Sequence, residues 1–508
     1  MSALSARALA SQLGEWRPTD ATPLYEALAD RVRLLILDGR ITLGTRMPAE
    51  RLLADHEQLS RTTVANAYAR LRELGYLRSV RGSGSVARLP ALEPGAAPFS
   101  TPGIGERPGP GVVDFSKATL PAIPLVAAAA REAAELLPGY LHETGFDAWG
   151  LPAVRQAIAD RYTARGVPTS VDEVMITLGA QHAIALVART LLARGDRALV
   201  ESPSYPHAVE ALRAAGARLV TVPVTTDGGW DAEALDQVFP RTAPALAYLM
   251  TEFHNPTGRT MPAEQRAQLL RRAAEAGTVL VVDETMAELG FATGADGAAT
   301  EQPRPQPRPQ PLPLAAAALA QPPGPRAEVV TLGSVGKSIW GGVRLGWIRA
   351  DRDLITRFAH ARLAGDLGSP ILEQLVLLRL LEQYDRVLDA RRADLRAGHA
   401  LLTAELARRF PTWHVPPVDG GLSLWVNLGH PVSSQLALAA RAEGLLVGAG
   451  PRFAVDGAFE RFLRLPFCLP ADTTLAALDL LERAWARVGG AGRVAVDPAE
   501  DEVLSAVV

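Results

Sequence analysis

Of the 52 basic residues in this 508-residue chain only two are lysines, Lys117 and Lys337, and the rest are arginines. A guanidinium stays protonated and does not condense with aldehydes, whereas a desolvated lysine amine does, so Schiff-base chemistry has two candidate positions. Lys337 stands in Ser334-Val335-Gly336-Lys337-Ser338, just past an apolar run, with Arg344 seven residues on. Asp283 ends the apolar run Val279-Leu280-Val281-Val282, where a carboxylate is costly unless it meets a positive group. Gly179-Ala180-Gln181 opens a helical pattern and offers backbone N–H groups to an anion. Tyr205, in Glu201-Ser202-Pro203-Ser204-Tyr205-Pro206, can stack on a flat ring, and His254-Asn255-Pro256-Thr257-Gly258 reads as a tight loop. Singly, each of these is also an ordinary turn, aromatic or strand-to-helix connection. Gly336-Lys337-Ser338 imitates the end of a phosphate loop, but the glycine required at position 331 is Thr331, which argues against a nucleoside-triphosphate site.

These groups need a frame. β-rich runs at Val174–Thr177, Ala198–Glu201, Leu219–Val224, Ala245–Met250, Val279–Asp283 and Val329–Leu332 alternate with alanine-rich amphipathic helices. That alternation predicts a mostly parallel sheet, in which ligands bind at the carboxyl ends of strands, where several of the polar residues fall. Composition fits a soluble multidomain protein with 48% hydrophobic and 21% charged residues, and no apolar run is long enough for a membrane span. Cys468 is alone, and no signal-peptide pattern follows Met1, so a reducing cytoplasm is expected. The nine histidines show no ligand spacing, and no metal site is expected.

Charge divides the chain. Residues 1 to 90 carry 13 Arg against nine acidic residues, a balance of +4, while the remainder stands at −7. A basic module on an acidic body suggests a polyanion partner for the module alone. Residues 89–112 are too rich in Pro and Gly for helix or strand and read as a linker. A second such stretch, 301–325, holds nine prolines and reads as a disordered surface insertion. Residues 1–20 and 488–508 read as tails, leaving a module at 21–88 and a body at 113–487.

Within the module, Leu28, Val32, Leu35 and Ile36 make one face of a helix, and Leu52-Leu53 the apolar face of a short second one after Pro48. Ser60 is a predicted N-cap for a third, with Val64, Ala67, Tyr68 and Leu71 inward and Arg61, Thr62, Thr63 and Asn66 outward. A hairpin tipped by Arg81-Gly82-Ser83-Gly84 follows. This is helix-turn-helix geometry with a wing: Arg61 can read guanine bidentately, and the helix start and its hydroxyls suit phosphate. The motifs Gly44-Thr45-Arg46-Met47-Pro48-Ala49-Glu50-Arg51, Ser60-Arg61-Thr62-Thr63-Val64 and Gly75 to Gly84 resemble the winged-helix domain of the GntR family. The resemblance implies that Arg51, Ser60, Arg61, Thr62, Thr63 and Gly82 contact double-stranded DNA.

In the body, the strand-end groups together describe a site for pyridoxal phosphate. Lys337 would form the Schiff base, Asp283 would pair with the pyridinium nitrogen, Asn255 would bind the phenolic oxygen and Tyr205 would cover the ring. Arg344 and the helix start at Gly179, Ala180 and Gln181 would hold phosphate, with Ser334 beside the lysine. Order and spacing resemble fold-type I aminotransferases over residues 113 to 487, including Gly150 to Arg155 and Arg464-Leu465-Pro466-Phe467. By that resemblance Arg464 binds an α-carboxylate. The sequence departs from many of those enzymes where a tyrosine is common two or three residues past the aspartate, for Thr285 and Met286 stand there, and Gly336 replaces the frequent serine. These departures bear on catalytic efficiency more than on cofactor binding.

The whole chain resembles the MocR subfamily of bacterial GntR-type regulators. That implies an α+β winged helix-turn-helix followed by an α/β domain of the pyridoxal-phosphate transferase fold with large and small lobes. It also implies sensing of an amine, an amino acid or the cofactor itself, and a head-to-tail homodimer. The alternative expectation is a working aminotransferase whose DNA module is auxiliary.

Overall fold

The structure, a computed structural model, describes residues 4–14, 16–18, 22–37, 41, 45–80, 84–88, 111–291, 312–321, 324–455 and 458–488. The wing-tip residues Arg81 and Gly82, the linker at 89–110 and the tail beyond 488 lie outside these.

The N-terminal module holds α1 (Ala6–Leu13), α2 (Leu24–Leu37), α3 (Glu50–Glu57) and α4 (Arg61–Glu73), then the hairpin of β1 (Leu77–Val80) and β2 (Gly84–Ala87). All eight residues expected to face inward on α2 and α4 are buried. Ser60 caps α4, its Oγ accepting from the Thr63 N–H at 3.0 Å. Two readings change. Residues 1–20 are not simply a tail, because Leu9 and Leu13, four apart on α1, join Trp16 in the same core. On α3 Leu53 and Ala54 are buried while Leu52 is 55% exposed, so the inward face is turned one residue further along.

The body opens with β3 (Val113–Phe115), α5 (Leu125–Leu136) and α6 (Pro152–Ala164). The large-lobe strands are β4 (Val174–Thr177), β5 (Arg197–Ser202), β6 (Arg218–Thr225), β7 (Gly229–Trp230), β8 (Leu246–Leu249), β9 (Val279–Asp283), β10 (Val329–Ser334) and β11 (Gly346–Arg349). They lie in the order β4-β11-β10-β9-β8-β5-β6-β7. Around them run α7 (Ala180–Leu191), α8 (Pro206–Ala214), α9 (Ala232–Thr242), α10 (Ala263–Ala276), α11 (Leu314–Leu319) and α12 (Arg352–Arg362). The remaining chain forms α13 (Ile371–Leu381), α14 (Tyr384–Arg409), β12 (Ser423–Asn427), α15 (Ser433–Ala442), β13 (Leu445–Ala449), β14 (Phe462–Pro466) and α16 (Ala471–Val488). Its sheet, β12-β14-β13-β3, borrows β3 from the start of the body, parallel to β13.

All six strand runs read from the sequence are strands, and β5, β6, β8, β9 and β10 pair in parallel. β11 was not foreseen; it runs antiparallel between β10 and β4. It can do so because Gly346 has no side chain: a Cβ there would stand 2.6 Å from the Gly333 carbonyl oxygen and 2.9 Å from the Gly179 backbone. The disordered insertion expected at 301–325 is also corrected in part. Its Pro-Arg repeat lies outside the described residues, but the following apolar run folds into α11, burying Leu314, Ala315, Ala316 and Ala318 beside α10 and β10.

Arg362, fully buried, fastens the strand end that carries the first anion-binding turn. Its Nη1 donates to the carbonyls of Ala148 (3.0 Å) and Ile176 (2.7 Å), its Nη2 to Ser369 Oγ at 3.0 Å, and its Nε to Asp366. Gly150, at φ +99°, sits beneath it, where a Cβ would be 2.4 Å from Ile176 Cγ1. Removing the guanidinium strands buried acceptors and Asp366 together. Arg362→Met is expected to lower unfolding free energy by about 3 kcal/mol or more, measured by urea denaturation of the full chain.

Candidate cofactor site and DNA-binding face

The parallel pairing of β9 with β10 sets Asp283 opposite Leu332, so the carboxylate and the turn that holds Lys337 emerge at the same edge. Asp283 is buried, and both its oxygens are engaged: Tyr248 Oη donates to Oδ2 at 2.7 Å and the Thr285 N–H to Oδ1 at 3.0 Å. Each oxygen retains a lone pair for a further donor. Ser334 Oγ donates to the Leu345 carbonyl at 3.0 Å and accepts from the Gly336 N–H at 3.1 Å, which fixes the turn entering Lys337. Lys337 Nζ donates to the Ala118 carbonyl at 2.7 Å. Burial first, and then the charge of Arg464, push its ammonium down to about 8.

Arg464 reaches the same space from β14. Its Nη1 approaches Asn255 Oδ1 at 3.4 Å, its Nη2 donates to the Ser116 carbonyl, and the guanidinium lies 4.9 Å from the Phe453 ring centre. Its Nε is buried without a hydrogen-bond partner, a donor left over for a ligand. Burial and the neighbouring Arg452 lower it to about 10. Tyr205, the residue before α8, feels the charges of this cluster. Burial and the Asp283 charge push its phenol up to about 12, against the opposing pull of Arg464 and Arg452.

At the other end, Gly179 (φ +84°) caps α7, and Arg344 Nη2 donates to the Leu178 carbonyl at 3.3 Å. A Cβ on Gly179 would lie 3.9 Å from that same nitrogen, so guanidinium and helix N-terminus meet. Gln181 Nε2 donates to the His207 carbonyl at 3.0 Å. The structure thus gathers Lys337, Asp283, Asn255, Tyr205 and Arg464 at one end, and Gly179, Ala180, Gln181 and Arg344 at the other. Ser334 orients the backbone. Lys117 pairs instead with Asp114 at 2.9 Å. Sequence reasoning missed Tyr248, Phe453 and the run 116–119, whose carbonyls hold Arg464 and Lys337. Only Tyr248, the one polar side chain in its apolar run, carried a local signal.

On the N-terminal module Arg51, Arg61, Thr62 and Asn66 are exposed along α3 and the start of α4. Thr63 is half-buried, its Oγ1 2.7 Å from Ser60 Oγ. Arg81 and Gly82, expected to contact DNA, are not among the described residues.

Residues 111–481 match the family "Aminotransferase class I and II", and residues 24–86 match "Bacterial regulatory proteins, gntR family". The chain belongs to the class I and II aminotransferases. It carries a gntR-type helix-turn-helix ahead of that domain, the two-part build of MocR-type regulators. The chain is 31% identical to the 2-aminoadipate transaminase of Thermus thermophilus, over 70% of this chain and 86% of that protein. It is 29% identical to the HTH-type transcriptional regulator TauR of Rhodobacter capsulatus, over 87% of this chain and 92% of the regulator. Among solved structures, α-aminoadipate aminotransferase LysN from T. thermophilus, complexed with N-(5'-phosphopyridoxyl)-L-leucine, superposes with a TM-score of 0.65 at 28% identity, covering 75% of this chain and 94% of LysN. Pyridoxal phosphate is the cofactor of this aminotransferase domain, and the residues fit it: an amine with depressed basicity, a doubly braced carboxylate, an unclaimed buried Arg464 donor and a helix N-terminus beside Arg344.

An amine titrating near 8 is protonated below that pH and nucleophilic above it. Capture of pyridoxal phosphate by cofactor-free protein, followed by visible absorbance, is expected to rise with pH about a midpoint near 8. In Arg464→Gln, with one neighbouring positive charge removed, the midpoint should move upward, toward the ordinary lysine value of 10.5.

Proposed function

We propose that this chain is a pyridoxal-phosphate-dependent transcription regulator, binding a specific DNA site through α4 and sensing an amine or amino acid in the body. The observation that carries the reading is one chain joining an exposed Arg61-Thr62-Asn66 face to a buried cluster of Lys337, Asp283 and Arg464. When bound, the cofactor supplies an aldehyde that holds amines covalently and reversibly. Around it Lys337 would provide the amine that bonds the cofactor, Asp283 would face the ring nitrogen, Tyr205 would cover the ring, and Arg344 with the start of α7 would hold the phosphate. Arg464 takes the effector's carboxylate, to which it can offer its free Nε–H. Such a regulator works in the cytoplasm with its DNA, and no described helix is long and apolar enough to cross a membrane.

A second reading, a working transaminase, is favoured by Lys337, Asp283 and Arg464 all standing together. Sustained turnover with a panel of amino donors and keto acids would establish it in place of the first.

The direct test is fluorescence anisotropy with the promoter DNA beside the protein's own gene, at stated salt because phosphate contacts make affinity salt-dependent. Arg61→Ala is expected to weaken specific binding about tenfold or more. Lys337→Ala should lose the visible absorbance of lysine-bound cofactor and any response to amines, yet still bind DNA. Undiminished binding by Arg61→Ala would count against the reading.

A homodimer is part of the proposal. Leu141 and Phe146 are each 70% exposed, and Leu363 and Leu367 are about half exposed on a neighbouring loop joined to theirs by the Asp147–Gly368 bridge. Exposed apolar side chains on two bridged loops suit a second copy of the chain. Phe146→Asp should shift sedimentation from dimer toward monomer at micromolar concentration.

A further inference from the structure

Arg31 ties the DNA-binding module to the body. It is 4% exposed, on the side of α2 that packs against α15 of the small lobe. Its Nε donates to the Leu13 carbonyl at 2.7 Å and its Nη2 to that of Gln12 at 3.3 Å, closing the open carbonyl end of α1. Its Nη1 donates to Ser434 Oγ at 3.1 Å and pairs with Glu460 Oε1. The other Glu460 oxygen accepts from the Ser434 N–H at 2.9 Å, in the first turn of α15. The two side chains of the ion pair are only 5% and 10% exposed.

From Glu460 a short series of contacts leads to the effector arginine. The Ser433 N–H donates to the Glu460 carbonyl at 2.7 Å, and Ser433 Oγ both donates to the Phe462 carbonyl at 2.5 Å and accepts from the Gly450 N–H at 3.0 Å. Gly450 begins the turn that ends in Phe453, whose ring lies against Arg464 and whose carbonyl accepts from the Ser204 N–H at 2.9 Å, next to Tyr205. Glu460 also lies four residues before Arg464 on the segment that becomes β14.

We infer that Arg31, Glu460 and Ser434 form a latch that transmits occupancy of the pocket shared by Lys337, Asn255 and Arg464 to the recognition helix α4. This rests on the regulator reading, because it takes that pocket as the sensing site. An apolar contact could slide under a small shift of β14. A buried, several-fold bonded charge pair cannot, because moving Glu460 alone would strand a buried guanidinium. The small lobe and α2 are therefore obliged to move together or to separate altogether. α4 packs on α2, so it follows. The latch is thus a two-state element of the kind that coupling between sites requires.

The experiment uses the full chain with pyridoxal phosphate as the probe. DNA affinity is measured with and without the cofactor, and amide hydrogen exchange is followed in α1 and α2. In the wild type, loading with the cofactor should change DNA affinity about fivefold or more. Glu460→Gln keeps the side chain's shape and lies outside the cofactor site. It should hold pyridoxal phosphate with unchanged absorbance, while the loaded-to-free affinity ratio falls to near one and exchange in α1 and α2 accelerates. A Glu460→Gln protein that keeps the wild-type ratio, or shows wild-type exchange, overturns the latch. Should the wild type bind DNA equally with and without the cofactor, with Arg61→Ala still weakening binding, cofactor-coupled regulation fails and the latch loses its role as transmitter. If exchange nonetheless accelerates in Glu460→Gln, the contact survives as a docking device only.

Discussion

An amine kept close to neutrality beside an arginine is the constraint on which the body's architecture turns. Lys337 loses solvent and faces the positive charge of Arg464, and Asp283 opposes the resulting fall in its basicity only in part. Holding such a cluster requires acceptors that add no net charge, and backbone carbonyls provide them. Ala118 takes the ammonium and Ser116 the guanidinium. The segment that supplies both must therefore cross the site, and the fold anchors it at each end. On one side β3 is stitched into the small-lobe sheet against β13, and on the other α5 packs against α13. The borrowed strand is explained by the need to bring two carbonyls to two cations.

What could be read from the sequence follows the same physics. A parallel sheet delivers its functional groups at strand ends, so Asp283, Lys337, Tyr205 and the turn before α7 were visible as polar residues closing apolar runs. Asn255 was visible because its loop is short and unusual in composition. Contacts made across long chain separations left no comparable trace. Nothing local marks Ala118 as a partner of Lys337, 219 residues away, or Phe453 as the surface beneath Arg464. β11 was hidden because its run is short and runs against the parallel pattern, and α11 because proline-rich neighbours disguised an apolar stretch. In α1 only Leu9, Leu13 and Trp16 carry the signal, too few to separate a docked helix from a tail before its partners are known.

The division of charge along the chain gains a structural counterpart at the domain boundary. A module of balance +4 faces a body, residues 113–487, of balance −3, and where they touch, a basic side chain from the first meets an acidic one from the second. General attraction between oppositely charged parts would fix no orientation, since it falls off gradually and is screened by salt. Arg31 adds direction: it donates to the Leu13 and Gln12 carbonyls on its own module and to Ser434 and Glu460 on the body, so its bonds orient α2 on α15. On α4, Arg70 pairs with Glu73 and Arg72 donates to Ser85 Oγ, while Arg61 stands exposed at the helix start, open to phosphate and bases.

The missing tyrosine bears on why this pocket suits sensing. In the proposed arrangement the aspartate must be held toward the ring nitrogen, and that does not depend on residues 285 and 286 carrying a phenol. Tyr248 from the neighbouring strand and the Thr285 N–H already brace both oxygens of Asp283, so the hold on the ring is intact. What Thr285 and Met286 do not supply is a second donor, beside Asn255, toward the ring's phenolic oxygen. Asn255 is itself shared, its oxygen 3.4 Å from Arg464 Nη1. A carboxylate that engages Arg464 would compete for that guanidinium and release Asn255, so occupancy of the effector end is felt directly at the cofactor end. The pocket thus keeps its amine, its braced carboxylate and its arginine with Thr and Met at positions 285 and 286, and the bracing of Asp283 comes from Tyr248 and the backbone instead.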